Sequence, residues 1–129
     1  MCSNLELLYF VFKIEKTMKK ILAIGGSNSS KSINTVFATY IANQIQDSDV
    51  TIFEWDQFDL PLFGVDLEAE NGIPEKTHDF IKLIESADAI VLSLAEHNGL
   101  PSAAFKNLWD WTSRINAKFW SNKPMFLAA

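Results

Sequence analysis

The feature that most constrains the fold is a short apolar run followed directly by a loop of small polar residues. Residues 21–24, ILAI, are too few for a helix and are bounded by Gly25 and Gly26, which predicts a strand buried on both faces. The loop at residues 27–32 reads SNSSKS, and a helical pattern begins after it. A strand that turns into a helix N-terminus presents free backbone N–H groups and the positive end of the helix dipole. This loop therefore indicates a site for a phosphate group.

Two other interpretations of this loop remain open. Serine and asparagine are ordinary N-cap and turn residues, so the same sequence could join a strand to a helix with no ligand. The many donors between residues 27 and 34 favour a ligand, because a single cap needs only one of them. Residues 25–32 also approach a Walker A sequence, but Ser30 stands where its second glycine belongs, which makes nucleotide hydrolysis the weaker alternative.

Composition narrows the class of protein. A chain of 129 residues with 48% hydrophobic and 21% charged residues is typical of one globular domain. The formal net charge of -5 argues against a nucleic-acid partner. Cys2 is the only cysteine, which excludes an internal disulfide and a cysteine zinc site and favours a reducing compartment, so we expect the cytoplasm. Two histidines are too few for a metal cluster, so no metal is expected.

Residues 1–17 contain an apolar stretch that needs an interpretation separate from the rest of the chain. The apolar stretch LELLYFVFKI at residues 5–14 lacks a basic leader and a small-residue cleavage site, and Glu6 interrupts it. It is also too short to span a bilayer, so no membrane association is expected. Met18 directly precedes the lysines that lead into the first strand. We therefore expect residues 1–17 to be an extension outside the fold, and residues 18–129 to form the domain.

The remaining pattern alternates strands and helices. It predicts helices over residues 32–46, 74–87 and from Pro101, and strands over 50–55, 89–94 and from 123, with a long loop at 56–72. This order predicts an α/β fold, a parallel sheet with helices on both faces. If the first strand is central, the loops after strands one and three face each other across one ligand site.

The helix faces give a more detailed prediction. The first helix is predicted to turn one apolar stripe to the sheet: Ile33, Val36, Phe37, Tyr40, Ile41 and Ile45. The third is predicted to bury Phe105, Leu108, Trp109, Thr112 and Ile115. Trp111 falls off that face, so it is expected to cover the sheet edge, to pack under the loop at 56–72, or to meet a second copy of the chain.

The loop after the third strand reads Ala95, Glu96, His97, Asn98, Gly99. Asn98 and Gly99 predict a turn whose glycine takes a positive φ. His97 could be imagined as a general base, but a lone histidine in a polar loop is more often a packing or hydrogen-bonding residue, so no catalytic acid or base is assigned. With the helix that follows, this loop aims N–H groups at one point, which suits a flat ring with carbonyl and imide edges.

These segments together resemble the flavodoxin-like NAD(P)H-dependent FMN reductase family, from residue 19 to the end. The matching stretches are GGSNSSKSIN, ADAIVLSLAEHNGLPSAAFKNLWDW and KPMFLAA. The family's first loop, G-S-x-R-x-x-S-x-N, holds the FMN phosphate and is matched by Ser27, Ser32 and Asn34, with Asn28 set against the arginine. Its second loop, P-E-Y-N-G-S, follows the flavin ring and is matched by Glu96, Asn98 and Gly99, with His97 at the tyrosine.

The resemblance implies a fold, a cofactor and an activity. It implies a three-layer sandwich of strand order 2-1-3-4 that ends before the family's fifth strand and last helix, as in a C-terminally truncated member. FMN would be held by the two loops: Ser27, Asn28, Ser32, Ile33, Asn34, Glu96, His97, Asn98 and Gly99. NAD(P)H would give a hydride to flavin N5, and the electrons would pass to a quinone, azo compound, metal ion or flavin. The alternatives are a flavodoxin-like electron carrier and an inactive FMN-binding module.

The resemblance also implies an oligomer. Family members commonly form dimers with the flavin near the interface, so a homodimer or homotetramer is expected.

Overall fold

The computed structural model describes residues 18–129. The expectation for residues 1–17 lies outside the described residues. The strands are β1 (Lys19–Gly25), β2 (Ser48–Ile52), β3 (Ala89–Ser93), β4 (Glu96–His97), β5 (Leu100–Pro101) and β6 (Met125–Ala128). The helices are α1 (Ile33–Asn43), a 3₁₀ helix (Trp55–Phe58), α2 (Val65–Asn71), α3 (Glu75–Ser86) and α4 (Ala103–Ile115).

The main sheet is parallel and has the order β2-β1-β3-β6. Its register sets Ile21 beside Ala89 and Ile90 beside Met125. The short strands β4 and β5 form a separate antiparallel hairpin, so β6 is the fourth strand of the main sheet. The predicted order 2-1-3-4 is therefore confirmed, with β1 in a central position.

Each face of the sheet has its own core, which gives the predicted three layers. The larger core joins alternate residues of β1 and β3, such as Leu22 and Leu92, to Phe80 and Ile84 of α3 and to α4. The smaller core joins the opposite sides of the same strands to α1. Because both faces of β1 are covered, its apolar run needs no alternation with polar residues.

The predicted inner face of α1 is wrong. The fully buried residues of the helix are Ala38 and Ala42, and Ile41 is half-buried. Most of the larger apolar residues point outward, with Ile33 80% and Tyr40 62% exposed. The cause is close packing at the start of the helix, where a Cβ added to Gly25 would lie 2.3 Å from the Thr35 Oγ1. A helix held this near the strand can place only small side chains between them.

The predicted loop at residues 56–72 contains two helical segments instead. The 3₁₀ helix begins at Trp55, and α2 occupies the second half. Asp66 and Glu68 lie in the first turn of α2, where acidic side chains stabilise a helix, and Gly72 ends it with a φ of 73°. Glu68 also accepts a hydrogen bond from Arg114 Nε at 2.9 Å, which ties α2 to α4.

The predicted burial of Trp109 on α4 is also wrong. Trp111 is fully buried, whereas Trp109 is 40% exposed. Trp111 Nε1 donates to the Pro61 carbonyl at 2.7 Å, and its ring meets Phe63 edge to face at 5.1 Å. The side of α4 away from the sheet core is therefore covered by residues 60–63. Of the three roles expected for Trp111, packing under this segment is the one observed.

This packing predicts unequal costs for two tryptophan substitutions on one helix. Trp111→Ala should lower the free energy of unfolding by about 3–5 kcal/mol, because it leaves a cavity under residues 60–63. Trp109→Ala should cost about 1 kcal/mol, since its ring is partly in solvent. Urea unfolding followed by far-UV circular dichroism measures both. Equal costs would contradict the burial of Trp111.

Candidate functional site

The loop between β1 and α1 is folded by its own serines. Ser27 Oγ accepts from the Ser29 N–H, and Ser29 Oγ accepts from the Lys31 N–H, both at 3.2 Å. Ser32 is the N-cap of α1, and its Oγ accepts from the Thr35 N–H at 3.2 Å. Serines here act first as turn and cap residues, as the alternative interpretation of this loop expected.

Several backbone donors are still left for a ligand. Within the described residues, the N–H groups of Asn28, Ser30, Ile33 and Asn34 have no hydrogen-bond acceptor. The last two belong to the first turn of α1, where a helix leaves its N–H groups unpaired. These donors and the helix dipole give the loop a positive potential suited to a phosphate.

Asn34 is oriented by the end of the neighbouring strand. Its Oδ1 accepts from the Ser93 hydroxyl at 2.8 Å, and Ser93 is buried at the last position of β3. The bond leaves the Asn34 amide nitrogen as the free donor at the start of α1. Asn34 therefore joins the start of α1 to the end of β3.

The loop after β3 is the hairpin formed by β4 and β5. Asn98 has a φ of 55° and Gly99 a φ of 77°, which is the conformation of a type I′ turn. The predicted positive φ at Gly99 is confirmed. Glu96, His97, Asn98 and Gly99 are all exposed, so the hairpin offers its edge to a ligand.

Ser102 joins the two loops and was missed from the sequence. Its hydroxyl donates to the Gly26 carbonyl at 2.6 Å and accepts from the Phe105 N–H at 3.2 Å. Ser102 is buried and is the N-cap of α4. The helix begins at Ala103, two residues after the predicted start at Pro101. A serine directly before a helical pattern indicates an N-cap, so Ser102 could have been identified from the sequence.

Trp55 was missed as well. Its Nε1 donates to the Gly25 carbonyl at 2.7 Å, so the segment after β2 is bound to the same turn. The turn also lies close to β3, since the Gly26 N–H donates to the Ser93 carbonyl at 2.7 Å and a Cβ on Gly26 would lie 3.0 Å from Leu94 Cα. The structure thus brings together the two loops that the predicted topology set across one site.

The match to the family's first loop needs a correction of one residue. Counted from Gly26, the arginine of G-S-x-R-x-x-S-x-N falls on Ser29 and not on Asn28. Ser29 is held within the turn by its hydroxyl and carbonyl. Asn28 is exposed and lines an adjoining cavity, and its backbone N–H is one of the donors described above.

That cavity lies beside the loop and has a volume of about 630 Å³. It is formed by Asn28, by the 3₁₀ helix with the residues after it, and by the first turns of α4.

Two further findings concern metals and membranes. In residues 18–129, no three His, Cys, Asp or Glu side chains lie where they could hold a metal ion. Nor does that part of the chain contain a helix long and apolar enough to cross a bilayer.

The fold and the paired loops define an open α/β protein whose candidate site lies at the carboxyl ends of its central strands. Comparison with known proteins gives the family. The model of the NADPH-dependent FMN reductase family matches residues 19–129, and the chain belongs to that family. The members of that family are described as NADPH-dependent FMN reductases.

Named relatives agree with this assignment. The chain is 32% identical over 105 residues to an NAD(P)H-dependent FMN reductase of Pseudomonas aeruginosa, covering 81% of this chain and 56% of the relative. It is 31% identical to a probable NADPH:quinone oxidoreductase 2 of Oryza sativa, covering 74% and 48%. A quinone reductase of Escherichia coli is 30% identical over 69 residues, covering 54% and 37%. The chain therefore spans about half the length of these relatives.

Solved structures establish the same fold. The flavoenzyme FerB of Paracoccus denitrificans, an NAD(P)H:(acceptor) oxidoreductase, superposes with a TM-score of 0.62 at 24% identity, covering 84% of this chain and 59% of FerB. The apo form of an NADH:FMN oxidoreductase gives 0.52 at 20% identity, covering 72% and 49%.

The residues present fit FMN. The donor set suits the phosphate, because four backbone N–H groups without an acceptor and the Asn34 amide lie between residues 28 and 34, at the start of α1. Gly25 and Gly26 keep the turn free of side chains and close to its neighbours.

Ser102 provides a test of how the two loops are joined. Ser102→Ala should lower the free energy of unfolding by about 2 kcal/mol, because it removes a helix cap and a buried hydrogen bond together. Ser113→Ala is the control, since Ser113 lies on the same helix and only donates to the Asp110 carbonyl; its cost should stay within about 0.5 kcal/mol. Urea denaturation measures both, and similar costs would contradict a joining role for Ser102.

Proposed function

We propose that this chain forms the FMN-binding part of an NAD(P)H-dependent oxidoreductase. The observation that carries the proposal is the group of unpaired N–H donors at residues 28–34, placed next to the exposed hairpin of β4 and β5. An anion site and a flat polar edge at adjoining strand ends suit a molecule with a phosphate at one end and a ring at the other. Bound FMN would supply hydride acceptance and electron transfer, which are the cofactor's own chemistry.

The protein's contribution is to bind and orient. The turn at Ser27 and the cap at Ser32 hold the loop and leave the N–H groups of Asn28, Ser30, Ile33 and Asn34 as donors for the phosphate. The Asn34 side chain adds one more donor. Glu96, His97, Asn98 and Gly99 would line the ring edge. No side chain is assigned as a catalytic acid or base.

The reaction and setting are further parts of the proposal. Relatives named quinone reductase support a small organic acceptor such as a quinone, with hydride passing from NAD(P)H to the flavin and electrons then to the acceptor. We also propose a homodimer or homotetramer in the cytoplasm, since family members commonly associate near the flavin. The burial of Trp111 removes that residue from any such interface.

One experiment tests the proposal directly. The purified chain is mixed with FMN and separated by gel filtration, and its absorption spectrum is recorded before and after NADPH or NADH is added without oxygen. A retained flavin band that bleaches supports the proposal. A retained band that stays unbleached indicates an electron carrier or an inactive module, and loss of all flavin from a folded protein contradicts FMN binding.

A loop substitution tests where the phosphate binds. Ser30 is exposed and its side chain caps nothing, so Ser30→Glu should leave the fold unchanged while placing a negative charge beside the phosphate. FMN affinity should fall by about tenfold, since a like charge several ångströms away in a partly exposed site is worth about 1–2 kcal/mol. Quenching of flavin fluorescence measures the affinity.

Two controls separate charge from shape in this test. Riboflavin has no phosphate and should bind both proteins alike. Ser30→Gln has nearly the same size without the charge and should keep most of the FMN affinity. An equal loss of FMN and riboflavin would place the phosphate elsewhere.

A further inference from the structure

The outward face of α1 carries a second apolar stripe, which faces solvent. This outer stripe consists of Ile33, Val36, Phe37 and Tyr40, which recur at helical spacing and are all exposed. The sheet side of the same helix is formed mainly by its alanines. Large apolar side chains at this spacing are typical of a helix face that packs against another element. The sequence of α1 therefore has two packing faces, and the sheet covers only the alanine one.

The outer stripe is large enough to form the centre of an interface. From their exposed fractions, its four side chains present roughly 500 Å² of surface, near the upper end of what a monomeric protein leaves uncovered. Two copies that meet through this surface would remove about 1,000 Å² from water before any flanking residue is counted. Specific interfaces begin near that total, so the area suits a pair of chains.

Charge favours a second copy of this chain as the partner. The formal net charge of -5 makes most of the surface repel another copy, whereas the helix INTVFATYIAN has no charged side chain. Lys31 is exposed directly before this helix, and the last turn of the helix has no basic residue. In an antiparallel pair, Lys31 of each copy would lie beside the C-terminal end of the other α1, where a positive charge is stabilising.

We propose that α1 is the self-association surface of this protein, and that two copies pair antiparallel through the outer stripe about a two-fold axis near Val36 and Phe37. The inference rests on the homodimer of the proposed function, and it adds the surface that forms it. Such a contact uses the same residues on both copies, so it closes as a dimer. The antiparallel arrangement sets the two phosphate loops at opposite ends of the helix pair, which leaves both of them open to a ligand.

Two valines of nearly equal exposure give a matched test. Val36 is 70% exposed on the outer stripe, and Val65 is 68% exposed at the start of α2, which is tied to α4 on the other face of the sheet. Val36→Lys should raise the dimer dissociation constant by about tenfold or more, because two lysines would face each other across the axis. Val65→Lys should leave the constant unchanged. Sedimentation velocity over a range of protein concentrations measures the constant, and far-UV circular dichroism checks that both variants fold.

Introduced cysteines test the geometry of the pair. Cys2 is the only cysteine, so Cys2→Ser gives a background without thiols. In that background, Val36→Cys places one thiol of each copy near the axis and should give a disulfide-linked dimer under mild oxidation. Val65→Cys should stay unlinked, because a disulfide needs its two Cα atoms within about 7 Å of each other. Gel electrophoresis without reductant compares the two variants.

Three results would overturn the inference. They are a native protein that stays monomeric at every concentration, a Val36→Lys variant that dissociates no more readily than Val65→Lys, and equal crosslinking of the two cysteine variants. A dimer that survives Val36→Lys would contradict this surface alone and leave the homodimer of the proposed function in place. FMN retention and bleaching are recorded separately, so a dimer that is disrupted by Val36→Lys but holds no flavin would contradict only FMN binding.

Discussion

The backbone of Gly25 and Gly26 is the point at which the site-forming segments of this protein are joined. The Gly25 carbonyl accepts the Trp55 indole N–H, and the Gly26 carbonyl accepts the Ser102 hydroxyl. The Gly26 N–H donates to the end of β3 at Ser93. The segments that follow β1, β2 and β3 are therefore all tied to one turn, and a side chain at Gly25 would collide with Thr35. The geometry of the candidate site depends on this turn.

The consequence for binding is that the site is largely built before a ligand arrives. Ser32 caps α1, Ser102 caps α4, and both caps lie beside the same turn. Donors that are already aligned lose little entropy when an anion binds. The hairpin of β4 and β5 is different, because its residues are exposed and it pairs only with itself among the described strands. One side of the site is thus fixed, and the other is supported mainly by its turn.

Local pattern predicted much of this structure. The short apolar run of β1, the alternation of strands and helices, and the Asn98-Gly99 turn each follow from local chemistry, whereas the strand order was implied by the family resemblance. The helical spacing of the apolar residues of α1 could not show that most of them face solvent. The deciding contact is between Gly25 and Thr35, ten residues apart, and it admits only alanine-sized side chains beneath the helix.

The errors on α4 and at Trp55 have a related cause. Whether Trp109 or Trp111 is buried depends on residues 60–63, which pack on one side of the helix from far away in the sequence. Trp55 looked like the end of a strand, yet its indole binds a carbonyl 30 residues earlier. Ser102 differs from both, since its capping position was visible in the sequence and only its bond to Gly26 was not.

The outward face of α1 has a consequence for the behaviour of the protein in concentrated solution. The helix INTVFATYIAN contains no acidic or basic residue, and Ile33, Val36 and Tyr40 are exposed on it. Elsewhere the excess of carboxylates keeps molecules apart, but on this helix there is no charge to oppose contact between them. Excluded salts such as sulfate strengthen apolar association while they screen the remaining repulsion. This uncharged helix face therefore makes the association of molecules in solution sensitive to the salt that is present.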